Sequence, residues 1–128
     1  ARDRLLSATR EKNIGVLVMF AVRHALTSSE LAREAIHDLR ARGFADPGAI
    51  AEGEDLSFLL RDGGAASLTD AAYRFARYEP GVHVVLSGTG SVDHLEENAA
   101  SLVRPPLPPH DVERLQRMFR GVDQLAGN

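Results

Sequence analysis

The chain has 128 residues, of which 44% are hydrophobic and 26% are charged, and its formal net charge is −3. These values predict one soluble folded unit, and the spread of both charge signs leaves no basic stripe for binding a nucleic acid. Cysteine is absent, which excludes disulfides and thiolate metal sites. No two of the five histidines lie one helical turn apart, so the sequence also predicts no helical zinc site.

The sequence has no feature that is typical of a membrane or exported protein. Its longest apolar run, residues 14–22, is far shorter than the ~20 residues that a helix needs to cross a bilayer. No charged and then apolar signal segment opens the chain. We therefore expect a cytoplasmic protein without membrane contact. The sequence starts with Ala1 inside an apparent helix, which suggests a fragment of a longer chain.

The first half of the sequence predicts a helix, a strand, a second helix and a long connection. Leucines among charged residues indicate a helix up to Asn13, a residue type that tolerates the left-handed conformation in which many helices end. Residues 14–22 have the almost unbroken apolar character of a parallel strand covered on both faces. Ser28 precedes a helical pattern that ends at Gly43. Residues 44–66 then form a long connection with one short helical turn, and both a binding loop and an unstructured bridge fit it.

The second half predicts a helix, a second strand and two further helices. Ser67, with Asp70 three positions later, resembles a capping box at the start of a helix that Pro80 ends. Residues 82–86 have the pattern of a short apolar strand. After the helix that follows this strand, the proline-rich residues 104–109 are expected to be extended, and an amphipathic helix closes the chain.

This order of elements predicts an α/β protein. Strands that alternate with helices are joined by right-handed crossovers and form a parallel sheet. Two strands alone do not make a stable parallel sheet, because both faces are apolar and both edges offer unpaired backbone groups. We therefore expect further strands to come from sequence outside this chain or from another copy of it.

The segment with the most chemical character lies where the second strand meets its helix. A turn with two glycines at residues 87–91 lets backbone N–H groups approach a ligand, and the following helix presents its positive end there, which together indicate a phosphate cradle. His94, Glu97 and Asn98 lie one turn apart on this helix, so they can project as one polar group. The alternatives are an ordinary turn and a solvated helix face.

Several segments of the chain resemble the aldo/keto reductases, in the order in which that family has them. One of them is Leu-Glu-Glu-Asn at residues 95–98, which matches the end of the helix that follows the family's last strand. The other similar segments are residues 13–22, 71–87, 85–89, 104–109 and 111–115. The resemblance implies a (β/α)8 TIM barrel, of which residues 1–128 would be a single partial domain at the C-terminal end, with the last two barrel strands.

The resemblance also implies a nicotinamide dinucleotide site. By it, Gly88, Thr89, Gly90 and Ser91 would contact the adenosine phosphate, His94 would flank that phosphate, and Glu97 and Asn98 would hold the adenine. Met19 or Phe20 would pack on the nicotinamide, although a place in the core at the barrel end fits them equally. The resemblance implies NADP. NAD is the alternative, because Gly88 and His94 stand where many NADP-specific members have a Lys and an Arg that bind the 2'-phosphate, and the loss of both charges weakens the preference for that phosphate.

The residues that perform the family's chemistry are not in this sequence. In the family, a Tyr donates a proton to the carbonyl that receives hydride, and an Asp, a Lys and usually a His tune that Tyr; these residues come from earlier strands. We interpret Tyr73 and Tyr78 as structural. The chain would therefore help to bind the dinucleotide, and the complete protein would act on a small carbonyl substrate. The alternative is a non-catalytic module that self-associates through open sheet edges and has a vestigial cofactor pocket.

Overall fold

A computed structural model of the chain describes residues 2–44, 50, 53–120 and 122. Two strands, five helices and two short 3-10 turns lie within these residues, and none of the helices is long and apolar enough to span a membrane. In chain order the elements are α1 (Arg2–Glu11), β1 (Leu17–Val18), a turn (His24–Leu26), α2 (Ser29–Ala41), a turn (Ser57–Leu60), α3 (Leu68–Arg77), β2 (Val84–Val85), α4 (Val92–Val103) and α5 (Pro109–Met118).

The two strands pair in parallel, which confirms the predicted arrangement. Leu17 lies opposite Val84, and Val18 lies opposite Val85. Both strands are shorter than the apolar runs at residues 14–22 and 82–86 that predict them. Within the described part of the chain, no third strand pairs with either edge of this sheet. Each strand therefore has hydrogen bonds to one neighbour only, which limits its length.

The expectation that the first strand is covered on both faces is wrong for this chain. Leu17 is 60% exposed and Val84 is 44% exposed, whereas their neighbours Val18 and Val85 are partly buried. Successive side chains of a strand point to opposite faces, and α3 packs against β2. The helices therefore cover one face of the pair, and the opposite face is open.

The ends of the helices lie where the capping residues of the sequence predict them. The Ser28, Ser67 and Ser91 hydroxyls accept hydrogen bonds from the N–H groups of the first turns of α2, α3 and α4. Asn13 follows α1 with a φ of 54°, the left-handed conformation expected of it. The capping box of α3 is not closed, because the Asp70 carboxylate accepts its hydrogen bond from the Ala66 N–H and not from Ser67.

The core lies between α2, α3, α5 and the connection that joins α2 to α3. Within that connection Leu56, Leu59 and Ala65 are buried, and the Ile50 side chain is fully enclosed. The interpretation of residues 44–66 as an unstructured bridge is therefore wrong for the described residues, since these apolar side chains supply part of the core. The remaining part of the connection, residues 45–49 and 51–52, lies outside the described residues.

Candidate functional site

A cleft of about 270 Å³ lies at the C-terminal ends of the two strands. Because the strands are parallel, the residues that follow β1 and those that follow β2 meet at the same edge, where ligands of parallel sheets bind. The lining residues are Met19, Phe20, Ala21, Val22, Tyr73, Leu86, Ser87 and Gly88. Three residues named by the resemblance, two from the first strand end and one from the second, are thus brought together.

Met19 and Phe20 line the cleft on the side of β1, and both residues are largely exposed to solvent. Met19 is 61% exposed and Phe20 is 71% exposed, so neither belongs to the core of this chain. Phe20 has a φ of 58°, and the left-handed conformation costs an L-residue roughly 1–2 kcal/mol. This conformation therefore lies at a residue that lines the cleft.

The turn after β2 is held by its own side chains and leaves its backbone accessible. The Thr89 hydroxyl accepts from the Ser91 N–H at 3.2 Å, and Ser91 in turn caps α4. A Cβ added at Gly88 or Gly90 would meet no atom within 4 Å, and neither glycine has a positive φ. The fold itself therefore does not require glycine here. In the described residues, the N–H groups of Gly88, Thr89 and Gly90 have no hydrogen-bond partner.

The structure separates the polar residues of α4 that the sequence groups together. His94 and Glu97 are exposed, whereas Asn98 is only 7% exposed. The Asn98 side chain faces the interior because α4 packs against α3 along the face that carries Asn98 and Ser101. Its amide nitrogen donates to the Ser87 hydroxyl oxygen at 3.0 Å. The three side chains consequently do not project as one group.

Tyr73 and Ser87 belong to the cleft, although the sequence does not indicate a site role for either. Tyr73 lies on the apolar face of α3, which makes a structural interpretation natural, and it is 5% exposed. Its hydroxyl lies 2.9 Å from the Ser87 hydroxyl oxygen, the same atom that Asn98 contacts. Only the packing of α3 beneath the end of β2 brings them together.

A buried cluster of charges holds α3 in place behind the cleft. Asp70, 2% exposed, accepts from Arg74 at 3.2 Å and from Arg104 at 2.8 Å. Burial by itself raises the pKa of the Asp70 carboxyl, but hydrogen bonds from Arg104, the Ala66 N–H, Ser101 and Arg74 outweigh burial and hold that pKa below its ordinary value. The sequence pattern shows only that Asp70 and Arg74 lie one helical turn apart. Arg104, the other arginine of the cluster, is 34 positions from Asp70 in the chain.

Comparison with known proteins identifies the family. The model of the aldo/keto reductase family matches residues 1–119 of the chain. No curated protein and no solved structure matches it. Members of this family are barrel-forming oxidoreductases that generally bind nicotinamide dinucleotides, and the parallel strand pair and helices agree with part of such a barrel. The chain therefore belongs to the aldo/keto reductase family.

Proposed function

We propose that the chain supplies the dinucleotide-binding part of an NADP-dependent aldo/keto reductase. Residues 1–128 would form one partial domain, the C-terminal part of the (β/α)8 barrel with its last two strands. The observation that carries the proposal is the cleft at the C-terminal edge of the parallel pair, bounded by a glycine turn that runs into a helix. The proposed dinucleotide contacts are Met19, Phe20, Gly88, Thr89, Gly90, Ser91, His94, Glu97 and Asn98.

The open backbone of the glycine turn supports binding of the adenosine phosphates there. Within the described residues, no atom lies within 4 Å of a Cβ added at Gly88 or Gly90, and the N–H groups of both glycines are unpaired. The positive end of α4, a helix of 12 residues, adjoins the same turn and attracts an anion. An anionic ligand that accepts from these N–H groups would fit the accessible backbone.

The exposed side chains after β1 support contact with the nicotinamide end. The flat face of a nicotinamide ring can stack on an aromatic ring or a thioether, and Met19 and Phe20 offer such side chains in an exposed position. Strained backbone at a bulky residue is most often found at functional sites, and Phe20 has such a conformation. The dinucleotide would then extend across the cleft from the first strand end to the second.

Reduction of a carbonyl would need residues from the rest of the barrel. The dinucleotide supplies a hydride when it is bound, and a proton must reach the carbonyl oxygen at the same time. The two tyrosines of this chain have other partners, since Tyr73 contacts Ser87 and Tyr78 donates to the Arg104 carbonyl oxygen. We therefore assign dinucleotide binding to this chain, and proton transfer to a small carbonyl substrate to the complete protein.

Titration of NADPH fluorescence with the chain tests this proposal. We expect saturable binding, and we expect Gly88→Val to weaken it about tenfold or more, because a side chain there blocks approach to the backbone. The matched control is Gly15→Val, since an added Cβ at Gly15 also meets no atom within 4 Å but lies away from the cleft. Equal affinity of Gly88→Val and the unchanged chain would contradict a phosphate at this turn.

His94 tests the preference for NADP over NAD. A guanidinium at this exposed position would add a charge-assisted hydrogen bond to a 2'-phosphate, so we expect His94→Arg to bind NADPH about tenfold more tightly and NADH unchanged. His37→Arg, on the exposed side of α2, is the control for the added charge. An equal gain for both dinucleotides would show that the 2'-phosphate does not lie beside residue 94.

The open strand face supports a second candidate, a non-catalytic module that self-associates with a vestigial cofactor pocket. The exposed apolar side chains on this part of the chain are Ile14, Leu17, Met19, Phe20, Val84 and Leu86. Leu17 and Val84 lie opposite each other on the strand pair, and apolar surface left open in this way often marks a contact with another protein surface. A chain that self-associates and does not bind NADPH would favour this candidate.

A further inference from the structure

The hydroxyl of Ser87 has two neighbours that together determine the direction of its proton. Asn98 donates to the Ser87 oxygen at 3.0 Å, and the Tyr73 hydroxyl lies 2.9 Å from the same oxygen. A serine hydroxyl has two lone pairs and one proton. The amide nitrogen of Asn98 can only donate, so it takes one lone pair.

We assign Tyr73 as the donor to the second lone pair. Its side chain is 5% exposed, and its hydroxyl has no other partner among the described residues. If Tyr73 accepted the serine proton, its own proton would have no acceptor among the described residues, whereas donation to Ser87 pairs the Tyr73 proton and leaves the serine proton free to point into the cleft. With both lone pairs filled, the Ser87 proton has no acceptor in the part of the chain that the structure describes.

We propose that Ser87 donates this proton to a phosphate oxygen of the bound dinucleotide, with Tyr73 and Asn98 as the residues that position it. The inference rests on the proposed function. Ser87 lines the cleft, and the glycine turn and the positive end of α4 follow it directly in the chain. None of the residues that line the cleft is acidic, so an anionic oxygen meets no like charge there.

This assignment gives Asn98 a role through Ser87. Its side chain is turned away from solvent and engaged with the serine, whereas Glu97, one position earlier, is exposed. Toward the phosphate, Tyr73 and Asn98 therefore both act through Ser87. Loss of either partner leaves a lone pair of Ser87 open and lets the hydroxyl rotate away from the phosphate.

The test is a double-mutant cycle with NADPH fluorescence on the full chain. We expect Ser87→Ala to weaken NADPH binding about tenfold, and Ser87→Thr, which keeps the hydroxyl, to bind within about twofold of the unchanged chain. Tyr73→Phe should weaken binding about threefold on its own. Combined with Ser87→Ala, it should add nothing further, because Tyr73 acts through the serine.

Tyr78→Phe is the matched control, since it also removes a tyrosine hydroxyl near the end of α3 whose partner, the Arg104 carbonyl, is not part of the cleft. It should leave NADPH affinity unchanged. If the unchanged chain binds NADPH and Ser87→Ala binds it equally well, the inference is wrong while the proposed function stands. Additive losses in the double variant would overturn the positioning role of Tyr73. Failure of the unchanged chain to bind NADPH would contradict both this inference and the proposed function.

Discussion

At Gly64 the backbone itself excludes any side chain. A Cβ there would overlap the Leu59 carbonyl oxygen and lie 2.9 Å from the Arg61 carbonyl oxygen. The Leu59 oxygen already accepts from the Ala65 N–H at 2.7 Å, so it has no freedom to move aside. The sequence predicts only a glycine-rich connection at this point, and the need for this particular glycine arises from the packed turn.

We therefore expect Gly64→Ala to lower the free energy of unfolding by about 2 kcal/mol, within the range for overpacked sites. Urea denaturation followed by circular dichroism measures the change. Gly15→Ala is the control, because an added Cβ at Gly15 meets nothing within 4 Å and should change the free energy of unfolding little. Equal stability of the two variants would contradict the close packing of the connection.

Asp70 makes stability depend on pH in a defined direction. Its pKa in the folded chain lies below the ordinary value, because the hydrogen bonds it accepts outweigh its burial. The unfolded state thus binds the proton more readily than the folded state. The stability that Asp70 contributes is complete above about pH 4, the ordinary pKa of aspartate, and is lost as the pH falls through the lowered pKa.

Asp70→Asn should accordingly lower the free energy of unfolding at pH 7 by about 3 kcal/mol, since it leaves the buried Arg74 guanidinium without its charge partner. Below pH 4 the difference between the variant and the unchanged chain should shrink. Urea midpoints at pH 7, 5 and 3 measure both effects. The control Asp62→Asn changes an exposed carboxylate and should alter the free energy of unfolding at pH 7 little. A constant difference at all three pH values would contradict this account.

At the scale of elements, one arginine joins α3 to the proline-rich segment. Arg74 donates to the carbonyl oxygens of Pro105 at 2.7 Å and Pro106 at 3.0 Å, and also to that of Gly64 at 3.0 Å. Prolines lack N–H groups and cannot anchor themselves in a ladder, so a side-chain donor holds the segment. The fork of donors on a guanidinium reaches several acceptors at once.

Replacing Arg74 by Lys keeps the charge and removes most of these donors. We expect Arg74→Lys to lower the free energy of unfolding by about 2 kcal/mol, because an ammonium group cannot reach all the carbonyl oxygens and leaves some of them buried and unpaired. Arg77→Lys, one turn later and exposed, serves as the control and should change it little. Thermal unfolding of both variants provides the comparison, and an equally small effect would show that charge alone holds the segment.

Helix ends were predictable from the sequence, and strand lengths were not. The caps at Ser28, Ser67 and Ser91 depend on hydrogen bonds to residues three positions away, so the local sequence contains all their partners. A strand, in contrast, extends only over those residues that can form hydrogen bonds to a neighbouring strand. The apolar run at residues 14–22 therefore predicts the length of strand that this segment could form beside longer neighbouring strands. In this chain β1 is shorter than that run, because its partner β2 is also short.

The candidate site was predictable in part for the same reason. The turn at residues 87–91 and the start of α4 are local features, and the structure has them where the sequence predicts them. Whether Asn98 faces solvent depends on which side of α4 packs against α3, and only long-range contacts decide this. The sequence did not indicate the contact between Tyr73 and Ser87. Tyr73 lies on an apolar helix face, which predicts a packing role, and the partner of its hydroxyl lies 14 positions further along the chain.

At the scale of the whole molecule, the open face of the strand pair is the main departure from a closed fold. Leu17 and Val84 lie opposite each other on this face, and both are exposed. In a complete barrel, side chains from the other strands would fill the interior beside such a pair. In this chain alone, the same apolar surface is available for contact with a second copy.

We expect the chain to form oligomers as its concentration rises, and the double variant Leu17→Thr, Val84→Thr to remain a monomer. Threonine keeps the β-branched shape that suits a strand and reduces the apolar surface. Sedimentation velocity at several concentrations measures the association. Val103→Thr, at an 83% exposed position on α4, is the control. Equal association of both variants would place the contact elsewhere, and a strictly monomeric chain would contradict the second candidate function.

The amino-acid sequence by itself determined the order of the elements, the caps of three helices, the glycine turn and the family, because each depends on residues close together in the chain or on a motif. Tertiary structure alone decided that the connection before α3 enters the core, that Asp70 joins two arginines, and that Asn98 turns inward to Ser87. These features depend on burial and on contacts between residues far apart in sequence. Packing creates those contacts, and local pattern does not encode them.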